Sequence, residues 1–88
     1  PQLFTILDTA DQQAVVKRVL KGMNVDEDKF PPRQVQWFIN DAKEEGKRPG
    51  AVEAHDEFGR RCVELYAAYE EVLRREGAVD FPELLLRS

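Results

Sequence analysis

The sequence contains few of the residues from which catalytic and metal sites are commonly built. Its 88 residues include one cysteine, Cys62, and one histidine, His55. A single cysteine cannot form an internal disulfide or a zinc-binding pair, so we expect a reducing compartment and a cytoplasmic location. Cys62 falls on an apolar helical stripe and is expected to be buried, whereas His55 is expected to be a solvent-facing loop residue. The sequence therefore predicts no catalytic residue and no metal site.

Two further absences exclude nucleotide and calcium sites of the common kinds. A phosphate-binding loop needs closely spaced glycines, and the five glycines of this sequence are scattered, at positions 22, 46, 50, 59 and 77. The acidic cluster Asp26 to Asp28 does not form a calcium loop. In a calcium loop that starts at Asn24, the sixth position needs a turn glycine and the twelfth needs a bidentate glutamate. This sequence has Lys29 and Val35 at those positions.

Basic residues are fewer than acidic ones, 13 against 17, and the formal net charge is −4. A domain whose main task is to hold nucleic acid by bulk electrostatics is normally basic, so any DNA contact must be local. No apolar stretch approaches the length of a membrane span or a signal-peptide core, and we expect no membrane partner. The length suits one small domain, which can fold without disulfides or metal when it is helical.

The first predicted helix lies in "LDTADQQAVVKRVLKGMN". Asp8 or Thr9 is a suitable N-cap, and Asp11 or Gln12 can close a capping box three residues later. Five apolar residues then recur at helical spacing: Val15, Val16, Val19, Leu20 and Met23. Gly22 and the polar connector "NVDEDKF" end this helix.

Two more helices follow the connector. Pro31 and Pro32 preset the first turn of a helix over "RQVQWFINDAKEE", and Gly46 stands where a left-handed C-cap residue is wanted. Its buried stripe is predicted to be Val35, Phe38, Ile39 and Ala42. The longest periodic segment begins near Asp56 and ends at Gly77. Its apolar residues are spaced 4, 3, 4 and 3 apart: Phe58, Cys62, Leu65, Tyr69 and Val72.

The sequence ends in an apolar run, Leu84 to Leu86, directly after a new helix start. Asp80 and Glu83 form a capping-box pattern in which the Asp80 carboxylate accepts the Glu83 backbone N–H. So short a helix is not stable alone. Because residue 1 is also Pro rather than Met, we expect the chain to be a piece of a longer polypeptide. The predicted fold class is all-α, a small bundle of about four helices, since the only β-like run is "QLFTIL".

Two features of the second helix are candidates for binding. Trp37 lies about 100° around the helix from Phe38, at the edge of the predicted core, where it could contact another domain or a base. Lys43, Lys47 and Arg48 form a basic group at the end of this helix. Such a group can simply complement the helix dipole, or it can contact DNA phosphates.

Nearly the whole chain is similar to one known family. The specific segments are "FTILD" with Asp11-Gln12, the helix from Pro32 to Ile39 leading to Lys43 and Pro49, and Tyr66-x-x-Tyr69 followed by "VDFPELL". In their order and spacing, these segments resemble the inserted helical subdomain, called 1B, of the UvrD, PcrA and Rep group of superfamily 1 DNA helicases.

The resemblance implies a parent enzyme that hydrolyses ATP with Mg²⁺ and unwinds DNA in the 3′ to 5′ direction in repair or replication. It implies that residues 1–88 are a non-catalytic accessory subdomain without a cofactor of its own, lining the DNA path and engaging duplex ahead of the motor. Residues 79–88 would begin the return into a RecA-like motor domain. The implied partners are DNA, bound weakly and nonspecifically through Lys43, Lys47 and Arg48, and the remaining helicase domains. The candidate interface residues are Trp37, Phe81, Leu84, Leu85 and Leu86.

Two alternatives remain open at the level of sequence. The chain could be a protein-interaction module that docks a repair or transcription partner through Trp37. It could also be a helix-turn-helix DNA reader built from the first two helices. The acidic connector between these helices is too long and too negative for that compact turn, so we rank this alternative last.

Overall fold

Four helices and two short strands make up the described part of the chain. The computed structural model describes residues 4–87, and for residues 86 and 87 it describes the backbone only. The elements in chain order are β1 (Thr5–Leu7), α1 (Thr9–Gly22), α2 (Pro32–Glu44), a 3₁₀ turn (Pro49–Ala51), α3 (Glu57–Glu76), β2 (Ala78–Asp80) and α4 (Phe81–Arg87).

The three long helices begin where the sequence predicted. Asp8 caps α1 in a capping box with Asp11, whose backbone N–H donates to Asp8 Oδ1 over 2.8 Å. Pro31 and Pro32 open α2. Asp56 caps α3 by accepting the backbone N–H of Gly59 over 2.7 Å. Asp8 and Asp56 each satisfy a backbone donor that has no partner within its helix, whereas the two prolines fix the backbone angle that starts α2.

Glycines in the left-handed conformation mark the ends of two helices. Gly77 ends α3 with φ 64°, and Gly46, just beyond α2, has φ 74°. A side chain on Cβ disfavours this left-handed conformation, so glycine is the residue that ends a helix in this way at least cost. The predicted ends of the second and third helices are confirmed.

The core lies where α1, α2 and α3 meet. Its central side chains are fully or almost fully buried: Val16, Leu20, Val35, Ile39, Cys62, Leu65, Tyr66 and Tyr69. Two members of the predicted stripe on α3 lie nearer the surface. Val72 is half-buried, and Phe58 is partly exposed and stacks on Phe30, with ring centroids 5.1 Å apart. His55 is exposed and Cys62 is buried, as predicted.

The purely all-α prediction was wrong, because the mostly helical fold includes a two-stranded parallel sheet. Strand β1 pairs with β2 in the register Thr5 with Ala78, Ile6 with Val79, and Leu7 with Asp80. Three-residue strands are too short to show a period-2 pattern, and their partners lie near opposite ends of the sequence. The sheet places β1 beside the start of α4.

Candidate interaction surface and its buried charge network

The start of α4 is fixed by polar contacts to the helical body. Asp80 ends β2 and caps α4, and its Oδ1 accepts the backbone N–H of Glu83 over 2.8 Å, as predicted. Glu83 is the third residue of α4, and its side chain is almost fully buried. It turns towards the basic residues Lys43 and Arg48. The first turn of α4 therefore offers two carboxylates to the body.

The Lys43 ammonium lies at the centre of these contacts. Its Nζ is 3.1 Å from both carboxylate oxygens of Asp80, 3.1 Å from Oε1 of Glu83 and 2.9 Å from Oε2 of Glu70. Lys43 is 2% exposed and Asp80 is 1% exposed. The hydroxyl of Tyr69 also donates to Oδ2 of Asp80. Residues from α2, α3 and the β2–α4 junction thus meet around one buried cation.

Arg48 closes the network from its outer side. Its two terminal nitrogens donate to the two oxygens of Glu83 over 2.7 and 2.8 Å, and Nη1 also donates to Oε1 of Glu70 over 3.0 Å. A bidentate pair of this kind is stronger and more directional than a single ionic contact. We refer to Lys43, Arg48, Glu70, Asp80 and Glu83 as the charge network.

Burial and pairing determine the protonation of this site. Burial alone would lower the pKa of Lys43, but its hydrogen bond to Glu70 and the charge of Asp80 raise that pKa above its ordinary value. Hydrogen bonding to Glu83 likewise raises the pKa of Arg48. Burial, followed by the hydrogen bond to Asp80, raises the pKa of Tyr69. Both cations and the Tyr69 phenol therefore keep their protons well above neutral pH.

The buried polar atoms of the charge network all have hydrogen-bond partners. Every buried side-chain nitrogen or oxygen among the described residues has a hydrogen-bond partner. Breaking one contact would leave a charged group buried without compensation, which costs far more than losing an exposed ion pair. The network thus holds α4 in one orientation relative to α2 and α3.

The placement of Lys43 argues against its predicted role as a DNA contact. Its ammonium is enclosed by three carboxylates, so a phosphate could reach it only if the network opened. Arg48 is half-exposed, although it is engaged with Glu83 and Glu70. Lys47 is partly exposed and pairs with Glu45 at 3.2 Å. The three basic residues are therefore close in sequence but differ in environment.

Sequence reasoning missed the burial of Lys43, although one signal was present. Lys43 follows Ile39 by four residues and Gln36 by seven, so it lies on the same side of α2 as these buried side chains. Its carboxylate partners come from α3, β2 and α4, and no local pattern links them to α2. The capping role of Asp80 was predicted, but its contacts with Lys43 and Tyr69 were not.

The outer side of α4 is apolar. Phe81 is 54% exposed, Leu84 38% and Leu85 73%. Ile6 on β1 and Phe4, which directly precedes β1, are also about half exposed. The side chain of Leu86, the remaining predicted interface residue on α4, lies outside the described residues. We refer to Phe4, Ile6, Phe81, Leu84 and Leu85 as the apolar face. A cluster of large exposed apolar side chains on a small protein indicates an interaction surface.

Trp37 lies elsewhere, on α2, and is 59% exposed. It lines a groove between α1 and α2 whose lining includes no residue of α4. The structure therefore does not bring Trp37 together with the other predicted interface residues in one groove. Its exposure is also greater than expected for a residue at the edge of the core.

Within residues 4–87, no group of three or more His, Cys, Asp or Glu side chains is arranged to hold a metal ion. Glu70, Asp80 and Glu83 come close together, but Lys43 and Arg48 already occupy their oxygens. Of the helices described, none has the length and apolar character needed to cross a membrane.

Comparison with known proteins identifies the family. The model of the UvrD/REP helicase N-terminal domain matches residues 1–88. DNA helicase II of Salmonella typhimurium is 46% identical over 89 residues, an alignment that covers 100% of this chain and 12% of the relative. DNA helicase II of Haemophilus influenzae is 47% identical over 88 residues, with 99% and 12% covered.

A more distant relative is the ATP-dependent DNA helicase PcrA of Staphylococcus aureus strain Mu50. It is 39% identical over 85 residues, which cover 94% of this chain and 12% of the relative. The chain thus spans about 12% of the length of these curated relatives. With a family model that matches the chain over its whole length, the chain belongs to the UvrD/REP helicase N-terminal domain family.

Proposed function

We propose that this chain is a non-catalytic helical accessory subdomain, of the type called 1B, within a longer ATP-dependent DNA helicase. In this role, it lines the path of the DNA and helps to engage duplex ahead of the motor. The proposal is supported by the resemblance of "FTILD", the Pro32 to Ile39 helix and "VDFPELL" to that subdomain. The mostly helical fold and the names of the relatives agree with it.

The observation that carries the proposal is the two-sided character of α4. Its polar side is held by the charge network, whereas its apolar side is exposed beside β1. A helix of seven residues is too short to be stable alone, so its orientation depends on the body that holds it. We propose that the apolar face packs against the RecA-like motor domain and that residues 79–88 begin the segment leading into it.

ATP and Mg²⁺ are assigned to other parts of the helicase in this proposal. The described residues do not form a site for ATP and Mg²⁺, because the glycines are scattered and the clustered carboxylates are already paired with Lys43 and Arg48. The part played by this chain is binding and positioning. For a local phosphate contact, we propose Lys47 and Arg48, the two predicted basic residues that reach the surface.

A charged residue on the apolar face tests the proposal. Leu85→Asp places a carboxylate at a leucine of α4 that is 73% exposed, and Ala67→Asp adds the same charge on the exposed surface of α3. In the 88-residue chain, we expect both substitutions to change the free energy of unfolding by no more than about 0.5 kcal/mol. In the full-length polypeptide, Leu85→Asp should lower the melting temperature and the rate of DNA unwinding, whereas Ala67→Asp should change neither. Equal behaviour of the two full-length variants would contradict the proposal.

A further inference from the structure

The groove beside Trp37 has the composition of a binding site. It lies between the start of α1 and the first half of α2 and has a volume of about 510 Å³. That volume falls within the roughly 300–1,000 Å³ typical of sites for small ligands. Its lining residues are Thr9, Ala10, Gln13, Arg33, Gln36, Trp37 and Asn40. The exposed indole forms an aromatic surface among polar side chains.

Hydrogen bonds between amide side chains fix the groove in place. Gln36 Nε2 donates to the backbone carbonyl of Thr9 over 3.1 Å and to Gln12 Oε1 over 2.7 Å. Gln12 Nε2 donates in turn to Asn40 Oδ1 over 2.7 Å. Because its oxygen is engaged, the half-buried Asn40 amide has its NH₂ group left to offer a ligand. The groove is therefore preformed and presents a donor next to the indole.

The lining of the groove contains a positive charge and no carboxylate. Arg33 is the only charged residue in its lining, and its guanidinium carbon lies 5.7 Å from the centroid of the Trp37 ring. Four other grooves in the described part of the chain each include at least one Asp or Glu in their lining. In a protein of net charge −4, the Trp37 groove thus has a local positive charge and complements an anion.

We propose that the Trp37 groove binds an unpaired nucleotide of single-stranded DNA, with the base stacked on the indole and Arg33 at the adjacent phosphate. Any base can stack on an aromatic side chain, which suits a protein that holds single strands without reading their sequence. The Asn40 amide can donate to a base carbonyl or ring nitrogen at the same place. The proposal rests on the proposed function, because it requires this chain to lie beside the path of a single strand.

Photocrosslinking in the full-length polypeptide tests the stacking contact directly. The probe is an oligothymidylate in which single positions carry 5-iododeoxyuridine, a base that crosslinks efficiently to an aromatic ring stacked on it. We expect an adduct at Trp37, mapped by mass spectrometry of the peptides. An oligothymidylate that binds and crosslinks at other residues but never at Trp37 would overturn the proposal.

Binding measurements with matched variants provide a second test. We expect Trp37→Ala to weaken oligothymidylate binding by about 5- to 100-fold and Trp37→Phe to weaken it less. Arg33→Ala should also weaken binding, whereas Lys17→Ala, which removes one positive charge from the exposed surface of α1, should change it less. Because Trp37 and Arg33 are exposed, these variants should keep the circular dichroism spectrum of the parent.

The failure of this inference can be distinguished from the failure of the proposed function. If Leu85→Asp impairs unwinding as expected but Trp37→Ala binds oligothymidylate normally, the nucleotide assignment alone is wrong. If Trp37 is instead found crosslinked to a peptide of the same polypeptide, the groove is a protein contact and the inference is overturned. If the full-length polypeptide binds no oligothymidylate at all, both the inference and the proposed function are wrong.

Discussion

Lys43 Nζ lies 3.1 Å from each carboxylate oxygen of Asp80, and both side chains are buried. This pair joins the C-terminal half of α2 to the residue that caps α4. A buried ion pair gains little relative to a well-packed apolar pair, because removing two charges from water is costly. Removing only one partner is nevertheless strongly destabilising, because the other charge is then left buried and unpaired. The Lys43–Asp80 contact is therefore a strong constraint on the orientation of α4.

Replacing Lys43 by Met should destabilise the fold strongly. The substitution keeps most of the side-chain volume but leaves Asp80 and Glu83 buried without their shared cation. We expect a loss of about 3–5 kcal/mol in the free energy of unfolding, measured by urea denaturation. Arg18→Met is the control, because Arg18 forms an exposed ion pair with Glu76 and its removal should leave stability nearly unchanged. Similar losses in the two variants would show that the charge network does not hold the fold together.

Stability should fall at alkaline pH and not near neutrality. Burial raises the pKa of Tyr66 from 10.0 to about 12 and that of Cys62 from 9.0 to about 11, and the pKa values of Tyr69 and Lys43 are also raised. The unfolded chain therefore releases these protons at a lower pH than the folded chain. The free energy of unfolding should begin to fall above about pH 9 and should keep falling as the pH rises towards 12.

Denaturant unfolding at a series of pH values measures this effect. Tyr66→Phe should reduce the slope between pH 10 and 12, because one of the shifted groups has been removed. Tyrosinate absorbance in the near ultraviolet gives an independent reading, since both tyrosines of the chain are buried in the core. Ionisation of both tyrosines near pH 10 in the folded chain would contradict the prediction.

Two glycines should respond to alanine in opposite directions. Gly77 ends α3 with φ 64°, so Gly77→Ala should cost about 1 kcal/mol even though a methyl group there would meet no atom within 4 Å. Gly22 ends α1 without a positive φ and also has open space around it. Gly22→Ala should therefore be neutral or stabilising, by up to about 0.5 kcal/mol. Thermal unfolding of the two variants compares them, and equal effects would mean that the conformation at Gly77 is not the cause.

Much of the fold could be predicted from local chemistry in the sequence. Asp8 and Asp80 each cap a helix as predicted, and Asp56, where the third helix was predicted to begin, caps α3, because a carboxylate three residues before a free backbone N–H acts over a short distance. The apolar stripes on the three long helices also indicated the core. These features depend on residues within a few positions of one another, so the sequence contains the whole pattern.

The features that could not be predicted depend on contacts between distant residues. The strands Thr5–Leu7 and Ala78–Asp80 form because the helices bring the two ends of the chain together. Lys43 and Arg48 looked like an exposed basic group because their carboxylate partners come from α3, β2 and α4. The exposure of Trp37 depends on how α1 crosses α2. In each case the deciding neighbour is far away in sequence.

The parallel pairing of β1 with β2 has a mechanical consequence. If neighbouring domains pulled on the chain before Thr5 and after Asp80, the two strands would be drawn in opposite directions along their axes. Their hydrogen bonds would then be loaded in shear, all at once, and would not be peeled apart one at a time. Since Lys43 also ties the end of β2 to α2, part of such a force would pass from β2 to α2 through the buried ion pair.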